Sequence, residues 1–409
     1  MAIRRMLLSR KLLTATLLGV LAGSPGAAWA RVKLITLPVR ERVEIQLDNE
    51  QATLVEEERI VPLVKGQNQI DFSWANTQID PGTIVFRVVG DEGKGADAPE
   101  VKVLSVSYPP NESALVWSVS ASEAGAARVR ISYLLGNLTK NFNYRAVAAN
   151  NEQTLDLSQF MRLKNLANEE FAGANLWAGF GPNFSQPIGL NETKELLVER
   201  FKAVPIEKTY TCNPQEYEYL DRAQNKLRVP MHYVITNDAE HGLGKAALPF
   251  GKVRIFIAGG GDDPQAGTAF LGEDWGKFTP RDDEMRLYLG VAQDVVVKRT
   301  IEKNETRRVS GNLYDQELIV KFEVENFKKQ LVRLDVIENL RHLRNEVRGD
   351  NGRDVQWELG KETTFAAGPD EERSNAEQLV FHADLPAAGK DGKAEKQVLK
   401  LHITLKNEW

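Results

Sequence analysis

The chain has 409 residues, of which 42% are hydrophobic, 27% charged and 8% aromatic, with a formal net charge of −5. This mixture lies in the ordinary globular range and excludes disordered, collagen-like and polytopic membrane classes, while the acidic balance argues against nucleic acid as a partner. The one cysteine, Cys212, excludes an intramolecular disulfide, so burial must stabilise the fold.

Residues 1–30 have the order that export requires. Arg4, Arg5, Arg10 and Lys11 precede an apolar stretch from Leu12 to Ala22, and Ala28-Trp29-Ala30 places small residues where a signal peptidase reads. The order predicts a signal peptide cleaved after Ala30 and a periplasmic or secreted mature chain. Gly19, Gly23, Pro25 and Gly26 break the uncharged run, which suits a cleavage region better than a membrane span, so no stable membrane insertion is expected after cleavage. Leu21-Ala22-Gly23-Ser24 has a serine where a lipoprotein needs its acylated cysteine. Removing four basic residues and no acids leaves a mature formal charge of −9.

Beyond the leader, hydrophobicity alternates with period two almost everywhere, the signature of half-buried strands. The runs are, in order, Val43, Ile45, Leu47; Ile70, Phe72, Trp74; Val129, Ile131, Tyr133, Leu135; and Val229, Met231, Tyr233, Ile235. They continue with Val253, Ile255, Ile257; Leu318, Val320, Phe322, Val324; Leu379, Phe381, Ala383, Leu385; and Leu399, Leu401, Ile403, Leu405. Turn signals such as Lys65-Gly66-Gln67-Asn68, Asp80-Pro81-Gly82 and Pro249-Phe250-Gly251 separate them. The pattern predicts an all-β chain of stacked antiparallel, immunoglobulin-like β-sandwich domains, each sheet with one wet face. The best helix candidates are short: Thr193 to Lys202 and Leu334 to Arg344. Composition breaks suggest an N-terminal β-domain over 31–110, a middle β-sandwich with a polar connection over 111–227, a third β-domain over 228–309 and a C-terminal sandwich over 310–409. The polar connection is Val204 to Leu227, which holds Cys212.

Several stretches carry a resemblance. Ala52 to Val89 (ATLVEEERIVPLVKGQNQIDFSWANTQIDPGTIVFRVV), Arg130 to Ala148, His241 to Ile257, Phe270 to Val297 and the strands from Leu318 to Trp409 resemble the exported domain-of-unknown-function 4139 family, whose better-known relatives are called mucoidy-inhibitor-like. The resemblance implies an exported, mostly β protein without an assigned activity. Two departures stand out: Lys140 occupies a place within Leu138 to Tyr144 where a tryptophan is expected, and no coiled-coil insertion is present. If those features form a partner surface in relatives, this chain lacks it.

No catalytic, cofactor or metal motif stands out. Asp262, Asp263, Glu273, Asp274 and Asp282, followed by Asp283 and Glu284, gather acids that could in principle ligate calcium or form a glycosidase pair. No alternating acidic loop is present, however, and acids at turn tips are ordinarily solvated. The five histidines are scattered, with His382 and His402 at polar strand positions where a solvated imidazole is expected. Cys212 reads as an inert, half-buried loop thiol, and the run Arg341, Arg344, Arg348, Arg353 as a solvated loop. Most tryptophans suit sandwich cores; Trp177 and Trp275, beside Gly-containing turns, are the candidates for a binding surface. The sequence therefore points to a non-enzymatic envelope protein that binds another protein or a glycan, with strand edges or turn aromatics as contacts, and the alternative is an envelope polysaccharide hydrolase using an acid pair.

Overall fold

The computed structural model describes residues 33–49, 52–89, 99–179, 182–215, 219–221, 225–259, 267–349 and 354–408. The expected leader with Ala28 and Ala30, and Asp262 and Asp263 of the acid cluster, lie outside the described residues. The strands begin with β1 (Lys33–Thr36), β2 (Arg42–Gln46), β3 (Thr53–Leu63), β4 (Gly66–Ser73), β5 (Val85–Val88), β6 (Val101–Ser107), β7 (Ala114–Ala121) and β8 (Gly125–Leu135). There follow β9 (Leu138–Ala148), β10 (Thr154–Asn165), β11 (Phe171–Trp177), β12 (Phe184–Ile188), β13 (Thr193–Pro205), β14 (Glu207–Cys212), β15 (Tyr219–Asp221) and β16 (Lys226–Leu227). Next come β17 (Pro230–Thr236), β18 (Gly251–Ala258), β19 (Thr268–Gly276), β20 (Glu284–Val291), β21 (Val295–Ser310) and β22 (Leu313–Asn326). β23 (Val332–Asn339), the helix α1 (Leu340–Arg348), β24 (Gln356–Leu359), β25 (Gln378–Leu385) and β26 (Lys396–Glu408) complete the chain.

The chain divides into two compact units, one of Met1–Pro38, Ile60–Ser73 and Gly90–Arg128, the other of Val39–Arg59, Trp74–Val89 and Val129–Trp409. The smaller carries a sheet in the order β1-β4-β7-β6, with Ile70, Phe72, Leu115, Trp117 and Val119 buried on it.

The larger unit carries sheets in the orders β12-β11-β2-β3-β8-β5, β13-β10-β9-β18-β19, β20-β17-β14-β23-β25 and β15-β16-β21-β22-β26-β24. The third of these serves two cores. Tyr233 and Ile235 of β17 and Met285 and Leu287 of β20 pack with Tyr144, Leu157 and Val253 of the second sheet. Leu334 and Val336 of β23 and Phe381 of β25 pack with Val320, Phe322 and Leu401 of the fourth. Sheets packed face to face through alternating apolar rows make an all-β sandwich architecture, as the period-two runs require. Antiparallel pairing dominates, with parallel pairs between β1 and β4, β2 and β11, β9 and β18, and β14 and β23.

Three local expectations are corrected. Thr193 to Lys202 is not a helix but most of edge strand β13: its apolar residues meet Leu155, Leu157 and Met161 of β10 through a ladder with two irregularities, and cross-strand burial overrides a marginal helical spacing. The helix expected over Leu334 to Arg344 starts later, at Leu340, because β23 runs to Asn339, whose side chain accepts from His342 N and caps the first turn. Val204 to Leu227 is not merely a connection, since it includes β14, whose Tyr210 and Cys212 join the C-terminal core. Among the described residues no helix is long and apolar enough to cross a membrane.

Candidate functional site

A cleft of about 1040 Å³ opens on the outward face of the β13-β10-β9-β18-β19 sheet. Period two explains its floor. Phe142, Tyr144 and Ala146 of β9 turn into the core, so Asn141 and Asn143 face out; likewise Val253 of β18 turns in while Lys252 and Arg254 face out. Arg162 of β10 completes the floor, and Trp275 of edge strand β19 stands directly across from Lys252. Residues 47–49 and the β8–β9 turn, with Asn137 in the left-handed conformation (φ 60°), form one wall. β18 lies very close to β9 at the cleft: a Cβ on Gly251 would come within 2.5 Å of the Phe142 carbonyl oxygen, which only glycine avoids.

Three aromatic rings form the other wall. Phe250, Trp275 and Phe278 are each more than half exposed, and Phe250 and Trp275 stack with centroids 5.1 Å apart and planes 3° from parallel. Their backbones are fixed from below. The buried Tyr144 hydroxyl donates to the Pro249 carbonyl (2.7 Å), and Asp274 accepts from the Trp275 and Tyr288 amides (2.8 and 2.7 Å). Asn237, fully buried just beyond β17, donates from Nδ2 to the carbonyls of Ala246, Thr279 and Pro280 and accepts at Oδ1 from Gly244 N. One amide thus ties the loop leading to Phe250 to the loop carrying Phe278, and reciprocal Leu248–Thr279 backbone bonds reinforce it.

Cations outnumber acids at the surface of this cleft. Lys140, Arg162, Lys252 and Arg254 line it, against Asp48 alone. Glu273, across from Arg254, bonds Lys252 Nζ at 2.7 Å, a hydrogen bond that holds its carboxyl below the usual range. Lys140 donates to the Ala178 carbonyl, and Arg162 closes no ion pair among the described residues. A second cavity, about 390 Å³ beside Arg40, Arg42 and Arg59, differs because its arginines are already satisfied: Arg40 by Glu57 and Glu169, Arg59 by Glu57, Arg42 by Glu44.

Of the two tryptophans singled out from sequence, Trp275 lines the cleft and Trp177 does not; it ends β11, its carbonyl accepting from Leu47 N, and stays 43% exposed. Of the acids singled out from sequence, Glu273, Asp274, Asp282, Asp283 and Glu284 are among the described residues. Glu273 and Asp274 are consecutive on β19 and project to opposite faces, Asp282 sits in a left-handed turn (φ 64°), and Asp283 accepts from the adjacent Glu284 N. No group of three or more His, Cys, Asp or Glu side chains gathers as a metal site among the described residues.

Three expectations about polar residues are corrected. His382 is not freely solvated, because its two ring nitrogens meet Asp335 and Asp370, each at 2.8 Å; His402 Nε2 likewise meets Glu317 at 2.9 Å. The arginine run is not a loop: Arg344 is fully buried on α1, Arg341 pairs with Glu377 and Arg348 lies over the Tyr314 ring, while Arg353 lies outside the described residues. Cys212 is a fully buried strand residue, and burial, helped by nearby Glu338 and opposed by Arg299, pushes its thiol pKa far up.

Exposed strand edges also exist. β6 pairs only with β7 and shows Val103, Leu104 and Val106 to solvent, and β19 is an edge of the cleft sheet. Sequence reasoning missed Phe250, Phe278, Arg162 and Asn237; the turn signal Pro249-Phe250-Gly251 marked the place of the first but not its exposure. A scan against protein-family models and a search of curated proteins match nothing to this chain.

Proposed function

We propose that this chain is an exported bacterial envelope protein of the domain-of-unknown-function 4139 type that acts by binding, and that the cleft on the five-stranded sheet holds a segment of an envelope glycan. The observation that carries this is the wall of Phe250, Trp275 and Phe278. Burying apolar surface is worth about 25 cal/mol per Å², so three large rings left open on one side of a folded domain, and held rigid from beneath, suit a ligand that covers them. Flat rings pack against the C–H faces of sugar rings, and the exposed amide of Asn141 on the cleft floor suits hydroxyl groups. Among the described residues that line the cleft Asp48 is the one acid and none is His or Cys, which favours binding over a bond-breaking step.

The test is the pair of variants Trp275→Ala and Phe250→Ala, titrated against oligosaccharides from the bacterial envelope. Each is expected to lose at least tenfold in affinity with little change in thermal midpoint. Unchanged affinity in both, or turnover of the glycan by the wild-type protein, overturns the proposal. Export has its own check: the mature N-terminus is expected at Arg31, and a retained Met1 in the membrane fraction contradicts it.

A further inference from the structure

The charge distribution around the cleft points to a narrower ligand class, and we propose that the site selects glycans carrying carboxylate groups, such as uronate polymers. This rests on the cleft's being the binding site. The protein as a whole is acidic, with a formal charge of −5, yet the outward face of this one sheet is cationic. Along the floor Lys252 and Arg254 of β18 follow one another at alternate positions, and Arg254 pairs in register with Arg145 of β9, which is also exposed and lies over the Phe256 ring at 5.1 Å. Arg162 stands on β10 across from Asn141, and Lys140 lies at the end of β9.

Glu273 bonds Lys252, with Arg254 at 3.7 Å; Asp48 is on the wall; and Glu195 of β13 is the cross-strand neighbour of Arg162 without closing an ion pair to it. Among the residues that line the cleft, Lys140, Arg162, Lys252 and Arg254 meet Asp48 alone. Arg162 is exposed, lines the cleft and closes no ion pair among the described residues, and a guanidinium can take a carboxylate through two parallel hydrogen bonds. Like-charged neighbours on an open sheet face repel one another, a cost that an anionic ligand removes. Aromatic wall, amide floor and unpaired guanidinium together fit an acidic sugar better than an acidic peptide, which would leave the stacked rings idle.

Binding of oligogalacturonate to the whole protein, compared with the same oligosaccharide fully methyl-esterified and with poly-glutamate, tests this. The esterified form keeps the sugar and removes the charge. The acid form is expected to bind about tenfold tighter than the ester at low salt, with the gap closing as salt rises. Arg162→Gln should remove most of that preference, and Glu195→Gln, which removes an opposing charge, should increase affinity several-fold, a gain that misfolding cannot produce. Equal binding of acid and ester, both weakened by Trp275→Ala, overturns the acidic preference while leaving the cleft as a glycan site. Tight poly-glutamate binding insensitive to Trp275→Ala overturns it in favour of a peptide ligand. Failure of all three probes to bind overturns both the preference and the glycan reading beneath it.

Discussion

Arg299, on β21, is 2% exposed and gripped by both carboxylate oxygens of Glu338 (3.0 and 2.8 Å) with Glu346 on its third nitrogen, whereas Arg162, on β10, lies on an open sheet face and closes no ion pair among the described residues. Both arginines sit on long strands of sandwich sheets, and their environments decide what each can do. In the C-terminal sandwich the guanidinium is fully committed to holding α1 and β23 against β21, so it has no capacity for a ligand. In the cleft sheet the same group is exposed and lines the cleft, and its donors are not committed to an ion pair among the described residues.

The comparison is tested most severely at Glu338. Glu338→Ala leaves Arg299 buried with half its partners, and breaking a buried pair from one side costs about 3–5 kcal/mol. Chemical denaturation should show that loss, while the double change Arg299→Met with Glu338→Leu should cost far less than either alone. By contrast, Arg162→Gln should leave the denaturation curve in place.

Asn237→Ala comes next. It removes the donor to the carbonyls of Ala246, Thr279 and Pro280 and the acceptor of the Gly244 amide, and losing buried partners of this kind costs about 1–3 kcal/mol. Because the same amide fixes the loops under Phe250 and Phe278, glycan affinity should fall with it, which a purely structural asparagine far from the site would not cause.

The cleft and its surroundings were only partly legible in the sequence. Strand alternation was visible because period two forces inward and outward sets, and this placed Val253 and Phe322 in cores from the pattern alone. Trp275 was singled out because it stands near Gly272 and Gly276, read as turn residues, although it lies within β19 and pairs with Lys252. Arg162, Phe250 and Phe278 were not, since a cleft joins residues from β10, the turn before β18 and the loop after β19, and no linear spacing encodes that juxtaposition. The β13 segment misled for a related reason: Leu196, Leu197, Val198 and Phe201 satisfy two periods at once, and pairing with β10 chooses between them.

Acid should separate the regions more gently. Burial raises the Glu152 carboxyl, but hydrogen bonds from Lys208 and Tyr233 outweigh it and hold the group below its ordinary value of 4.5. A carboxyl depressed in the folded state contributes stability that is complete above its unfolded value and lost as pH falls through the folded one. Thermal midpoints should therefore be level near neutral pH and decline below about 4.5, and Glu152→Gln should remove part of that decline.

Cys212 gives the smallest effect. With its thiol fully buried and its pKa raised, an aromatic disulfide reagent should leave the native protein unlabelled and titrate one thiol after denaturation. Rapid labelling of folded protein would mean that the C-terminal core opens far more readily than its packing implies.

Hydrogen exchange of the whole protein with and without saturating oligogalacturonate addresses the cleft most directly. Ligand-induced protection is expected across residues 139–143, 248–252 and 275–279, the segments that carry its floor and aromatic wall. Protection confined to another surface, such as the open edge of β6, would contradict the assignment of the cleft as the binding site.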